Sequence, residues 1–499
     1  MEIPFAALAA LEGVEFCIIG AGPAGITCAR RLAAKGRKVL LLEAGGWNWS
    51  EDSQASYAGE TIGDKYFDLD SCRLRYFGGT SNHWTGWCRP LDAHEFAGKG
   101  FDNIGRWPIR RSDLDPYLPG AMEILEIDLP EPDVPLKGGM LRKIDVSFSP
   151  PVRFAAKYRD EILASDRILL CLDCNLTRMD VAGGAIASIA VENYDGARAT
   201  LAAKTFILAC GGIENSRMLL WCNEASGGAL LKGQGDLAGR YWFEHHHATI
   251  GDAIVETGFT PHRADPDAPR GESITLLALT PRMIAENNIL SCSLRFHPTT
   301  RDMAVALLED VACVAPTWAH WASNRLWSGQ LCAHRLQATA EQEPRAENRV
   351  TLAGPPDRFG IPKVALHWSR SELDMRTMRE AARTLGFYLA VRDIGRARLA
   401  PWVLGEAPYP EDVEIAAYHH MGGTRMADDP ATGVVDRNCR LFGMGNLYVA
   451  GASVFPSGGH GTPTISVVQL ALRLADHLAA DQARILNVGA APAGASVQQ

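Results

Sequence analysis

The stretch FCIIGAGPAGITCARRLAAKGRKVLLLEAGG, residues 16–46, leaves the N-terminal part of this chain few choices. Phe16 to Ile19 is a short apolar run of the kind that forms a buried parallel strand. Gly20, Gly22 and Gly25 follow it as G-x-G-x-x-G, and Pro23 can open a helix, where its missing N–H costs little. Gly36 closes that helix after Ala34 and Lys35, and Lys38 to Leu42 reads as a second strand ending in Glu43. Each glycine has its own physical role. One permits a tight turn, one lets backbone approach a pyrophosphate closely, and one lets helix pack closely on strand. The helix N-terminus then faces the phosphates. Glu43 is placed to accept hydrogen bonds from a ribose. An acid there favours a free 2′-hydroxyl, hence FAD or NAD over NADP.

Two later stretches bear on the same domain. TFILACGGIENSRMLL, residues 205–220, reads as another apolar strand ending in Gly-Gly and entering a helix. Before it, IASIAVENYDGARATLAAK alternates around Asp195-Gly196, a hairpin signal. RLRYFGGTSNHWTGWCRPLDAHEF, residues 73–96, places Gly78 and Gly79 where backbone can lie against a flat ring, with His83 close behind. Nicotinamide dehydrogenases have no such feature.

Composition narrows the partners. A chain of 499 residues, 47% hydrophobic and 21% charged, can build more than one large core. A net charge of −9 argues against a nucleic-acid footprint, which wants a basic face. No apolar run reaches the ~18 residues of a membrane span. The opening MEIPFAALAALEGVEFCIIG has no basic n-region and does not read as a secretory signal. Twelve cysteines are ordinary for a reduced compartment, and a cytoplasmic location is expected. Cys171 and Cys174 form a lone CxxC without further ligands, better read as buried thiols than as zinc ligands. His245-His246-His247 does not read as a metal site either, because adjacent side chains diverge. No metal is expected.

The blocks GAGPAG…LLEAGG, GGTSNHW and HHMGGTRM…GVVDRNCRLFGMGNLYVAGASVFPSGGHGTPT…ALRLADHL together resemble the glucose–methanol–choline (GMC) oxidoreductases, an FAD-dependent family, with flavin and C-terminal motifs like those of pyranose oxidase. The first block is shared with many flavoproteins; the other two are more specific. Residues 100–170 and 245–410 match weakly. The resemblance implies an α/β fold of two domains, a discontinuous Rossmann-type FAD-binding domain and a sheet-and-helix substrate domain. The expected partition assigns 1–99, 171–245 and 413–499 to the FAD-binding domain, and 100–170 and 246–412 to the substrate cap.

It also implies oxidation of a CH–OH group of a sugar, polyol or other alcohol, with hydride passing to flavin N5. The electron acceptor is O2 or a quinone-like molecule. The matching catalytic histidine is His420, three residues before Gly423-Thr424; its unperturbed pKa suits a general base. The second active-site position, commonly Asn or His in N-P-T, falls on Thr462 of T-P-T. Thr462 either contacts the substrate oxygen or caps the final helix, with Pro463 at the first helical position. His460 is the candidate to substitute for the missing partner. The final helix, read over 464–478, would point its N-terminus at the flavin, and that dipole stabilises reduced flavin by ~0.3–2 kcal/mol.

Gly79, Ser81, Asn82 and His83 are the implied flavin contacts, and Gly451 stands where relatives often carry Asp. His83 matches the position that holds FAD covalently in some relatives and non-covalently in others; a structural role is the third reading. Two other readings of the chain stay open: a non-redox lyase on the same fold, and an NAD-dependent enzyme or non-catalytic flavoprotein. The exact substrate and the oligomeric state are not legible.

Overall fold

The computed structural model describes the chain apart from residues 100–104, 129, 151, 257–258, 260–271, 299–314, 316–317, 319–320, 322–330, 411–416 and 490–499. Five parallel strands form its central sheet, in the order Leu447–Val449, Thr205–Leu208, Phe16–Ile19, Val39–Leu42, Ile168–Cys171. Four of these strands come from the apolar runs VLLL, FCII, TFIL and LYV, and every residue in them is buried. Such two-sided burial is what a parallel sheet covered by helices requires. The helices Pro23–Ala34 and Pro463–Gly489 pack against each other on it, linked at the surface by the Arg31–Asp476 ion pair at 2.7 Å. The Asp195-Gly196 turn joins Ala185–Glu192 to Arg198–Leu201 in an antiparallel three-stranded meander with Asn175–Ala182. Gly196 takes φ +82°, which the turn requires.

A second sheet of eight strands is antiparallel. Its main path runs Gly395–Leu399, His245–Glu256, Leu331–Glu341, Cys292–Pro298, Ser273–Leu279, Leu141–Phe148, Trp87–Cys88. One face carries Ala248, Ile250, Leu294, Leu336 and Ala338, all buried in a core shared with the helix Glu372–Val391. That helix starts with a capping box, Ser371 and Asp374 exchanging bonds with each other's backbone. A third sheet, Arg349–Pro356, Pro362–Trp368 and Gly59–Gly63, ties the two together.

The segment 100–170 departs from its expected place in the cap. Its helices Leu118–Leu125 and Phe154–Ala164 pack on the final helix and on the edge of the parallel sheet, and Ile168–Cys171 is that sheet's edge strand. Ile124, Leu125, Phe154, Tyr158 and Ile162 belong to the same core as the first strand. Among its described residues, only Val134–Pro135 and Leu141–Phe148 join the antiparallel sheet. The expected cuts after 99 and after 412 fall at residues outside the described set.

Candidate active site

A cavity of about 560 Å³ runs along the C-terminal ends of the parallel strands. At one end stand Gly20, Gly22 and Glu43; farther along come Gly79, Ser81 and His83; Gly451, Pro463, His419 and His420 also line it. This crevice is where open α/β sheets bind ligands.

The three glycines do different things. A Cβ on Gly25 would sit 1.9 Å from the Gly20 carbonyl oxygen, so only glycine lets the helix close on the turn. Gly20, at φ +105°, lies so near Ala209 that a Cβ would be 2.6 Å from its carbonyl oxygen. Gly22 meets nothing within 4 Å; the space beside it is part of the cavity. A ligand explains that gap better than the protein does. Glu43 is buried and accepts the Ala21 N–H at 2.8 Å and the Gly45 N–H at 3.0 Å. Its two oxygens have lone pairs to spare for a ribose. Burial raises its pKa, while these donors and Arg75 oppose the shift.

The GGTS block lies directly on this turn. Gly78 donates its N–H to the Ala21 carbonyl at 2.8 Å, and a Cβ on Gly79 would come within 3.3 Å of the Gly22 Cα. Ser81 shapes the loop: its hydroxyl donates to the Gly78 carbonyl at 2.7 Å and accepts the Phe154 N–H. Asn82 bonds the Phe77 carbonyl at 2.9 Å and does not line the cavity. His83 lines it, exposed, with its pKa lowered by burial and by Arg153.

The His420 loop reaches the same cavity by a long route. Gly212, at the end of the third apolar strand, makes room for it: a Cβ there would lie 2.2 Å from the His420 carbonyl oxygen. Gly422, at φ +72°, passes so close to Tyr241 that a Cβ would meet its carbonyl oxygen at 2.0 Å. Thr424 then bonds Ser453, and Asn215 bonds both Ser453 and the Ala450 carbonyl, joining loop and strand ends in one network. The His420 ring sits 5.8 Å from Trp242 and 6.3 Å from Tyr66, between centroids. Its Nε2 is buried without a partner among the described residues. Burial, with the Arg73 guanidinium adding to it, lowers the His420 pKa to about 3. The unperturbed value expected from sequence gives way to a ring held neutral.

Thr462 and His460 do not line this cavity. The Thr462 hydroxyl accepts the Arg89 N–H at 3.0 Å. His460 is buried 3.8 Å from Asp92, with neither ring nitrogen hydrogen-bonded among the described residues. Burial lowers its pKa to about 3, Asp92 opposing. Gly451 takes φ +114° and Pro463 opens the final helix, both at the cavity wall. The histidine triplet does not converge. His245 Nδ1 lies 2.8 Å from His419 Nδ1, while His246 faces Asp374 at 3.2 Å. Asp92, His94 and Glu95 do cluster, but Arg89, Arg142 and Lys99 already pair with the two carboxylates.

Sequence reasoning missed Glu244, Tyr66 and Arg73. Glu244 is wholly buried and takes the His419 N–H, the His245 N–H and the Tyr66 hydroxyl. Its only signal in sequence is an acid directly before the triplet.

A glycine-rich turn and a buried histidine nitrogen thus share one cavity at the sheet's C-terminal edge. Comparison with known proteins goes further. Residues 15–220 match the FAD dependent oxidoreductase family, and residues 344–471 match the GMC oxidoreductase family. The 2-methyl-1,2-propanediol dehydrogenase of Mycolicibacterium austroafricanum is 22% identical across 94% of this chain and 95% of its own. Paromamine 6′-oxidase of Streptomyces fradiae is 31% identical over 30% of this chain and 26% of its own. In fold, the chain is similar to pyridoxine 4-oxidase from Mesorbium loti, with TM-score 0.57 and 18% identity over 93% of this chain and 99% of that one. It is similar also to an FAD-dependent oxidoreductase from Chaetomium thermophilum, with TM-score 0.58 and 14% identity over 95% and 100%. The chain is an FAD-dependent oxidoreductase whose C-terminal part matches the GMC oxidoreductases.

Among the described residues no helix is long and apolar enough to cross a membrane.

Proposed function

We propose that the chain oxidises a CH–OH group of a small alcohol, polyol or sugar, with His420 taking the hydroxyl proton as hydride leaves the carbon. FAD, when bound, supplies the two-electron acceptor. Gly20, Gly22, Gly79 and Glu43 would hold its dinucleotide part, and Gly451 and the Pro463 end of the final helix would face the rest. His420 stays unprotonated because burial and Arg73 oppose its charge. Trp242 and Tyr66 stand beside the ring, and its Nε2 lone pair has no partner among the described residues, so it is free to accept the hydroxyl proton.

One observation carries this reading: the unpartnered, neutral His420 shares a cavity with the dinucleotide turn. The relatives' names support the substrate class, since they include 2-methyl-1,2-propanediol dehydrogenase, Paromamine 6′-oxidase and Pyranose 2-oxidase from Tricholoma matsutake. The acceptor that reoxidises the enzyme is O2 or a quinone-like molecule. Anaerobic mixing of the yellow protein with a panel of diols, polyols and sugars tests the reading: at least one should bleach the flavin. Turnover of such a substrate without bleaching would refute it.

A further inference from the structure

The antiparallel sheet carries two wholly buried carboxylates at one end, and each grips one loop of the site. Glu244 stands just before the strand His245–Glu256; Glu341 ends the strand Leu331–Glu341 and is the register partner of His245. Glu244 Oε1 accepts the His419 N–H at 2.7 Å and the His245 N–H at 2.9 Å, while Oε2 accepts the Tyr66 hydroxyl at 2.7 Å. The Ala417 N–H also donates to it. Its own backbone N–H is fixed by Gln342, which in turn accepts the Trp368 indole N–H. Glu341 Oε1 accepts the Gly459 N–H at 3.1 Å in the turn that leads to Thr462, and Lys99 bridges Glu341 and Glu95. Between the two carboxylates the His245 and His419 rings meet.

Burying a carboxylate is costly, and at Glu244 the donors that offset part of that cost come from the His420 loop, from Tyr66 and from the neighbouring backbone. We propose that Glu244 is a positioning residue that sets the reach of the His420 ring by holding the backbone one residue ahead of it. This rests on the proton-accepting role of His420. The Tyr66 ring, which leans on His420, is locked by the same carboxylate. The charged or titratable groups facing Glu244 are Tyr66, Cys72, His245 and His419; Arg73 and His419 face His420.

The test is rapid anaerobic reduction of the holoenzyme with a substrate found by the panel, comparing Glu244→Leu, Glu244→Gln, Glu244→Asp and His420→Ala. Misplacing a reacting group by about 1 Å costs on the order of 10²-fold, so Glu244→Leu should slow flavin reduction about 100-fold. The apparent substrate dissociation constant should move little and FAD should stay bound. Glu244→Gln keeps an acceptor for the backbone N–H groups and should recover to within about tenfold of the parent. Burial raises the Glu244 pKa to about 7, so the limb is compared between the two variants that cannot titrate there. In Glu244→Leu the freed histidine should gain solvent and bring an acid limb near pH 6.5 that Glu244→Gln lacks. A role in stability alone would lower the melting temperature and bring no such limb. If Glu244→Leu does not hold FAD, Glu244→Asp carries the test: its shorter side chain must show the same slowing. Parent-like reduction in either variant overturns the proposal. Parent-like reduction by His420→Ala overturns the functional reading instead, so the two failures are distinct.

Discussion

The two ends of the cavity are built on different principles. At the dinucleotide end most devices lie within one stretch: Gly22, Gly25 and Glu43 act through contacts of residues 16–46, with Ala209 and the Gly78-Gly79 loop closing on the same turn. At the other end His420 depends on residues scattered along the chain, with Tyr66, Arg73, Gly212, Trp242 and Glu244 all shaping its place. The first end makes a shape that any dinucleotide enzyme of this fold can use. The second makes a chemistry that requires the cap to be docked. Damage should therefore abolish binding at one end and slow reaction at the other.

Gly25→Ala should have the largest effect. Its methyl would stand 1.9 Å from a backbone oxygen that has no room to retreat. The expected cost exceeds the ~1–3 kcal/mol of ordinary overpacking, and the protein should be colourless or insoluble. Gly22→Ala sharpens the point, because its methyl meets no protein atom within 4 Å. That variant should keep the secondary structure of the parent, by circular dichroism, and bind FAD weakly, by titration of flavin fluorescence. If both variants bound FAD equally well, the first end would not be the cradle.

How much of this was legible follows from the same contrast. The parallel sheet and its first turn were readable because an apolar run, a glycine spacing and a terminal acid are adjacent in sequence. His420 was readable only through a motif, and its protonation state was not: a pKa lowered to about 3 follows from burial that no local pattern reports. Glu244 looked like one more acid beside three histidines until the His419 backbone was seen against it. The stretch 154–170, expected in the cap, packs on the parallel sheet, because a short amphipathic helix and an edge strand carry no label for the sheet they join.

His420→Ala comes next in size. Removing a positioned base should slow flavin reduction by roughly 10²–10⁴-fold. FAD should remain bound, since the dinucleotide contacts are elsewhere. The His420 ring itself should add no acid limb near 6.5, because burial lowers its pKa to about 3, whereas burial raises the Glu244 pKa to about 7 and its protonation can report there. Stopped-flow reduction across pH 4–8 measures both; an acid limb centred near 6.5 that persists in Glu244→Gln, which cannot titrate, would mean that the base is solvated or lies elsewhere.

His83 tests the boundary between the two ends. It lines the cavity, exposed, on the loop that packs against the dinucleotide turn. If it bonds the flavin, acid precipitation leaves the yellow colour in the pellet, and His83→Ala releases it while reduction slows by less than in His420→Ala. Colour wholly in the supernatant of the parent would make FAD binding non-covalent and leave the rest unchanged.

Thr462→Ala should give the smallest kinetic change and is the sharpest test of where the catalytic end stops. The side chain stands at the start of the final helix, yet its hydroxyl oxygen is taken by the Arg89 N–H rather than by the helix's own first turn. Arg89 is itself buried, clasped by Asp92 and Asp133. Alanine would leave that N–H without its acceptor, at a cost of about 1–3 kcal/mol. Thr462 therefore acts as a strut between the cap edge and the helix, outside the lining of the cavity. A strut predicts a lower melting temperature with flavin reduction within about twofold, whereas a lost transition-state hydrogen bond would lower the rate and the efficiency by a common factor. Thr462→Ser separates the two again: it keeps the acceptor for Arg89 and restores stability, and a reduction rate that follows the hydroxyl rather than the melting temperature would extend the catalytic end to Thr462.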